Sequence, residues 1–435
     1  MKDLFTSFFS SGAIQIANIG TGILAARLLL PDGRGELAFL LLWPPLVAEL
    51  GALGVYSAVS YYSARRDFTP ASLFASSAAL VALLSAVLMA GFAIAIPYLY
   101  AGYRADMQTV GWVFLVFVPI HLMSYCLITL FQGAQEFTVS NTLRAVLPYA
   151  YLVLVLAIAV APAGTATPET FAYAYLGGNA FALLVALGFT ARRGWVAAAP
   201  SRAAMRALLA YGARFHVSTL LAIANRRLDY IMIAYFLPPS QLGLYVVAIA
   251  VQGLPMLASA TMDLLVFPKV AAQDTEEGRQ AVLARYTRAT FLLVVPAIAV
   301  LFAIAPWFIR IVFGAAFVEA SDTVRILLLA VLPLSLKTLL TSYFRAANRM
   351  GVVSRAETAA IVTSAAAIVV LVPLYGIVGA AITQAIAGLI PAVYILIRAR
   401  NDLGLDPATF VRFDGTDAAL VRELAGRLTR GTRAK

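Results

Sequence analysis

Long apolar runs separated by short polar turns dominate this chain from end to end. Twelve of them are long enough to cross roughly 30 Å of hydrocarbon as helices. They predict spans near 8–30, 36–62, 72–100, 107–132, 141–162, 169–191, 210–236, 241–268, 284–308, 324–345, 358–374 and 377–398. Turn signals fall between them: "PDGRG", "ARRDFTP", "PAGTATPE", "LPPSQLG" and "PLYGIVG". The opening "MKDLFTSFFSSGAIQIANIG" lacks a basic n-region and a cleavage site, so it reads as an uncleaved first span.

The pattern repeats itself. "LFQGAQEFTVSN" (130–141) returns as "YFRAANRMGVVS" (343–354), 213 residues on, and "ARLLLPDGRGEL" (26–37) returns as "AYFLPPSQLGLY" (234–245), 208 residues on. Each half therefore holds six spans, and an even number makes the two repeats parallel. The expected fold is an all-α polytopic membrane protein of about twelve transmembrane helices, two six-helix repeats around a central cavity. The expected division is an N-terminal bundle (1–191), a basic amphipathic linker (192–209), a C-terminal bundle (210–398) and a basic tail (399–435). Prolines 119 and 333, in spans four and ten, and prolines 44, 45 and 255, in spans two and eight, mark either bending points or packing kinks.

Composition agrees with a lipid environment: 62% of the 435 residues are hydrophobic and 12% are charged. The net charge of +11 could suggest nucleic acid, but its distribution suggests topology instead. With the N-terminus inside, twenty-three lysines and arginines fall in cytoplasmic segments. The outer loops hold two, Arg34 and Arg104, or four if Arg310 and Arg325 at span ends are included. That bias predicts both termini in the cytoplasm of a plasma membrane. "SRAAMRALLAYGARF" and "TDAALVRELAGRLTR" read as amphipathic stretches lying on the anionic inner leaflet. One cysteine and two histidines leave no metal cluster, and the reading assigns no cofactor.

Four motifs in register carry a resemblance: "ARLLLPDGRGELAFLLLWPPL", "RRLDYIMIAYFLPPSQLGLYVVA", "LFQGAQEFTVSN" and "LVPLYGIVGAAITQAIAGLI". The chain resembles polysaccharide-biosynthesis flippases of the Wzx type, within the multidrug/oligosaccharidyl-lipid/polysaccharide exporter superfamily. The resemblance runs from about residue 8 to 398. It implies a bacterial inner-membrane carrier that moves an undecaprenyl-diphosphate-linked oligosaccharide to the outer leaflet, alongside the polymerase and glycosyltransferases of its pathway. Multidrug exporters of the superfamily often carry an acid where this chain has Thr21, and lipid II flippases carry arginines near Gln15 and Thr21. Neither charge is present, so both relatives rank lower.

Ionisable groups at span depth cost about 2.5–3.5 kcal/mol each on insertion scales and therefore ask for a reason. "ANRRLDY" in span seven is the strongest case. Arg226 maps by the 208 offset onto Asn18 and Asp229 onto Thr21, so both halves are polar at one depth. Arg226 and Asp229 share a helix face, whereas Arg227 points about 100° away. Arginines suit a diphosphate, with Asp229 poising them or carrying a proton or sodium ion; the alternative is a static ion-pair network. Gln252, Ser259 and Asp263 form one polar stripe in span eight, and Glu49, Tyr56 and Ser60 another in span two, both expected to face the cavity. Gln252 is a candidate substrate contact, Asp263 and Glu49 candidate coupling or pairing groups, and Lys337 either contacts phosphate or snorkels. Arg27, four residues before Pro31, reads first as a snorkelling anchor or strut, and His121 and His216 as hydrogen-bonded structural residues, with His216 on the Arg227 stripe. Trp43, Trp112, Trp307, Tyr98 and Tyr100 fit interfacial belts.

Three classes compete. Basic residues at cavity depth favour a lipid-linked oligosaccharide flippase over a cation-coupled exporter of drugs or other amphiphiles. A membrane polymerase or ligase would need a larger, chemically equipped outer loop than "PAGTATP" (162–168), so a transporter is expected rather than an enzyme. No G-x-x-x-x-G-K-[ST] run exists to use nucleotide, which leaves a proton or sodium gradient, the membrane potential, or substrate consumption as the energy source.

Overall fold

The computed structural model describes residues 2–101, 104–162 and 164–412, and their side chains except at 2–11, 13, 215 and 217–226. The described residues are all-α: α1 (Lys2–Leu40), α2 (Trp43–Gly51), α3 (Val55–Arg65), α4 (Pro70–Leu99), α5 (Ala105–Val113), α6 (Phe117–Gly133), α7 (Phe137–Ala159), α8 (Pro168–Arg192), α9 (Arg202–Phe236), α10 (Pro239–Ala271), α11 (Glu276–Val312), α12 (Ser321–Ala346) and α13 (Met350–Leu403). Among these residues nine helical stretches are long and apolar enough to cross a membrane. The expected twelve spans emerge because Ile14–Gly51 and Met350–Leu403 each contain two, and because the charged α9 is a further long helix. The protein is a multi-pass membrane protein.

Turn chemistry sets most boundaries. Thr69, Thr167 and Thr275 cap α4, α8 and α11, their hydroxyls accepting from the N–H groups of Ser72, Thr170 and Gly278. Pro70 and Pro168 follow at the first helical position, where a missing N–H costs nothing. In α1 the backbone leaves helical geometry at Leu30 (φ 58°, ψ 178°), where Pro31 disfavours a helical ψ for the residue before it. In α13 the break is Gly376 (φ 60°), inside the "PLYGIVG" signal.

The internal repeat survives as geometry. Gln135 (φ 63°) and Asn348 (φ 57°) are left-handed residues 213 positions apart that end α6 and α12. Glu136 N–H donates to the Phe131 carbonyl at 2.9 Å and Arg349 N–H to that of Phe344 at 2.8 Å. Ala134 and Ala347 donate to the Leu130 and Tyr343 carbonyls, both at 2.9 Å. These are matching left-handed helix caps.

By contacts the chain separates into two compact units, Met1–Ala234 with Pro238–Gly243, and Tyr235–Leu237 with Leu244–Lys435. The first is built around Val59, Leu73, Leu127, Leu130, Phe131 and Leu208. The second is built around Val266, Val270, Leu339, Leu340, Tyr343 and Phe344. Ala204 and Leu208 are fully buried, so the start of α9 seats its apolar face in the first unit rather than on a lipid surface, and Ser201 N–H donates to Ser76 Oγ at 3.0 Å. The tail stretch 416–430 lies outside the described residues.

Within the first unit the two repeat-equivalent turns meet. A Cβ on Gly35 would stand 1.7 Å from the Pro239 carbonyl oxygen, and one on Gly243 would stand 2.0 Å from that of Pro31. Pro31 and Gly35 map onto Pro239 and Gly243 by the same 208 offset, so each glycine is seated against the other turn's proline. Only glycine allows backbones this close.

Candidate functional site

Span two is not one helix, as the run 36–62 suggested, but three pieces. Pro44 and Pro45 open α2, so the preceding helix stops at Leu40. A second break follows at Leu53 (φ 46°) and Gly54 (φ 67°). Gly212 of α9 fills the gap: a Cβ there would lie 2.3 Å from the Leu53 carbonyl oxygen, and one on Gly54 would lie 2.5 Å from that of Gly212. A broken helix in lipid must have its freed carbonyls satisfied. The buried His216 does this at one of them, its Nε2–H donating to the Leu50 carbonyl at 2.7 Å.

Beside the break runs a ladder of rings. Tyr56 of α3 meets Tyr125 of α6 at 5.6 Å between centroids, and Tyr125 meets His121 at 4.6 Å. His121 stacks on Phe117 at 5.1 Å, Phe117 on Tyr175 of α8 at 5.9 Å, and Tyr175 meets Tyr151 of α7 edge-on at 5.3 Å. Residues 117, 121 and 125 share a face because four residues nearly complete a helical turn. The Tyr56 hydroxyl, His121 Nε2 and Ser124 Oγ are buried polar atoms without a hydrogen-bond partner among the described residues.

Charges gather along the same ladder. Arg227 holds its guanidinium 5.8 Å from the Tyr230 ring centroid. Tyr175 lies within electrostatic range of both Arg227 and Glu49, and Tyr230 within range of Asp229, Arg227 and Arg34. Asp229 is buried and accepts from the Tyr230 N–H at 2.9 Å, while Glu49 is half-buried. Thus Arg227, Asp229 and Glu49 of the expected set all lie in the first unit, with Arg227 and Glu49 both within electrostatic range of Tyr175. The Arg226 side chain lies outside the described residues. Asn18 and Arg27 are exposed on α1, whereas Thr21 is buried and donates to the Ala17 carbonyl at 2.8 Å.

The remaining expected residues belong to the second unit, each with a partner on a neighbouring helix. Gln252 is buried and its amide donates to the Leu327 carbonyl at 3.1 Å. Ser259 and Ser335 share a 2.5 Å hydroxyl contact, and Asp263 accepts from the Ser342 hydroxyl. The span-eight stripe therefore engages α12 along its length, since a polar row in lipid is as well satisfied by a neighbouring helix as by cavity water. Lys337 of α12 pairs with Glu357 of α13 at 3.0 Å.

Sequence reasoning missed Glu357, which the predicted boundary placed in the loop before span eleven. It also missed Arg34, counted as a loop charge, and Tyr125, Tyr151 and Tyr175; the four-residue spacing of Phe117, His121 and Tyr125 on α6 was the available signal. Tyr100 is no belt residue: it is fully buried, 5.1 Å from Phe39, while Tyr98 and Trp307 are exposed.

The fold is similar to the lipid II flippase MurJ in an inward closed conformation (TM-score 0.74, 12% identity, 97% of this chain and 92% of that one). It is also similar to an inward-facing multidrug resistance MATE family transporter of the MOP superfamily (TM-score 0.67, 15% identity, 94% and 96%). In sequence the chain is 28% identical over 191 residues to the probable low-salt glycan biosynthesis flippase Agl15 of Haloferax volcanii; that match spans 43% of this chain but only 40% of the relative. The model of the polysaccharide biosynthesis protein family matches residues 23–322, more than half of the chain, and the protein belongs to that family.

Proposed function

We propose that the protein translocates an undecaprenyl-diphosphate-linked oligosaccharide from the inner to the outer leaflet of the plasma membrane by alternating access. The observation that carries this reading is guanidinium charge and stacked rings in one unit: Arg227 lies over Tyr230 and acts electrostatically on Tyr175, a rung of the ladder that runs from Tyr151 to Tyr56. A diphosphate suits an arginine fork, and sugar faces suit aromatic rings; few other membrane-borne molecules combine the two. Family membership and the flippase name of the Haloferax relative support the same substrate class.

In this reading Arg227, with Arg226 beside it in sequence, holds the diphosphate. Asp229 and Glu49 keep the guanidiniums oriented, and one of them carries the coupling proton or sodium ion, or responds to the membrane potential. The broken α2–α3 segment supplies the non-helical backbone that membrane carriers keep where protein or cavity surrounds it. Lys337, Gln252 and Asp263 hold α10, α12 and α13 together. Polymerase and glycosyltransferases would act before and after the transfer.

Mass spectrometry of polyprenyl-linked glycans from cells lacking the gene tests this. A complete repeat unit accumulating on its lipid diphosphate, with surface polysaccharide lost, is the expected result. An unchanged lipid pool together with new sensitivity to cationic amphiphiles would replace it with a drug exporter.

A further inference from the structure

Arg34 takes no part in the arrangement proposed around Arg227. It lies in the first helical turn after the Leu30 break in α1, four residues beyond it, and is only partly exposed; its Nε is buried with no hydrogen-bond partner among the described residues. The carboxylates nearest in sequence are engaged or turned away: Glu36 pairs with Arg104 at 3.3 Å, and Asp32 is exposed. No ion pair to Arg34 exists among the described residues. The ionisable groups acting on it are two phenols, Tyr151 of α7 and Tyr230 of α9, which are neutral and cannot balance it.

A half-buried guanidinium without a counter-ion carries a desolvation cost, and that cost is reduced when an anion arrives. The backbone around Arg34 is also fixed on both sides. A Cβ on Gly33 would touch Pro168 at 3.4 Å, and Gly35 is seated on the Pro239 carbonyl. The side chain is thus launched from a pinned turn, which reduces what must be ordered when a ligand binds. Tyr151 is also the end of the ring ladder, so the position continues the path already described.

We propose that Arg34, within electrostatic reach of Tyr151 and Tyr230, is a second seat in the first unit for a lipid-borne phosphate, separate from the Arg227 position. The phosphate belongs either to the diphosphate of the carried glycolipid, which rests on the function proposed above, or to a resident phospholipid headgroup. Arginine rather than lysine suits the task because its fork grips two phosphate oxygens at once.

Native mass spectrometry of the purified full-length protein, titrated with farnesyl diphosphate, with dioleoylphosphatidylglycerol, or with farnesol, tests it. Wild type is expected to retain a phosphate-bearing probe and not farnesol, with Arg34→Gln weakening that probe about tenfold or more and Arg34→Lys about threefold. Arg34-dependence with farnesyl diphosphate assigns the seat to the substrate. Arg34-dependence with phosphatidylglycerol alone assigns it to a headgroup and leaves the glycolipid reading to the gene-deletion test. Wild-type affinity of Arg34→Gln for both phosphates overturns the seat. If Arg34→Gln does not accumulate as a monodisperse protein, Arg34→Lys is read instead, and unchanged binding there overturns it equally.

Discussion

Gly35 and Gly243 face each other across repeat-equivalent turns, and a Cβ built on either falls 3.0 Å from the other's backbone nitrogen. The reciprocity is that of a local two-fold axis: each turn is both knob and socket. Gly35→Ala and Gly243→Ala should therefore be equally damaging, each costing about 1–3 kcal/mol or more from overpacking. Gly91→Ala, in α4 with open space around it, should be neutral or mildly stabilising. Thermal unfolding followed by size-exclusion chromatography measures all three, and an Ala at 35 that is as stable as wild type would refute the seam.

His216 should act as a structural donor to the broken helix. His216→Ala strands the Leu50 carbonyl and should cost about 1–3 kcal/mol, with faster hydrogen exchange at residues 50–56. His216→Gln, whose amide can still donate, should recover part of the loss. Equal exchange in all three proteins would mean that the break is held by the Gly54–Gly212 contact alone.

Much of this was legible in the sequence, because it rests on local rules. Thr-Pro caps, the Leu30-Pro31 break and the Gly376 break follow from turn chemistry, and the caps at Gln135 and Asn348 follow from the 213-residue repeat. The break at Leu53 was not legible. Leucine disfavours a left-handed backbone, and only a distant glycine, Gly212, makes room for it. The candidate site was half legible. Hydropathy marks Arg227, Asp229 and Glu49 as out of place in lipid, but it cannot flag Arg34, since a charge in a turn normally faces water. Nor can polarity show that the Gln252–Asp263 stripe meets α12 rather than a cavity; that depends on which helix lies beside it.

Lys337 and Glu357 should behave as a pair. Their N–O separation is 3.0 Å, and the Glu357 side chain is 41% exposed, so the coupling should be small, about 0.5–1 kcal/mol. A double-mutant cycle with Lys337→Met and Glu357→Gln measures it on stability and on transport. If Lys337→Met stops transport while the double variant restores it, the lysine serves the pair; loss in both would make Lys337 a substrate contact.

The ring ladder should matter to transport more than to folding. Tyr125 is 43% exposed and Tyr98, off the ladder, is 80% exposed. Tyr125→Leu should slow glycolipid transfer by about two- to tenfold, the worth of one stacking contact, with unchanged stability. Tyr98→Leu should leave the rate alone. Equal rates for both variants would remove the ladder from the path.

The central claim is transfer of a lipid-linked glycan on a path that passes Arg227. Its most direct measurement uses the purified protein in proteoliposomes loaded with polyprenyl-diphosphate oligosaccharide, with a membrane-impermeant lectin reporting glycan exposure at the outer face. Wild type is expected to expose glycan initially confined to the inner leaflet, Arg227→Gln is not, and Arg227→Lys is expected to retain part of the rate. Exposure at the rate of empty liposomes in wild type, or at the wild-type rate in Arg227→Gln, would contradict it.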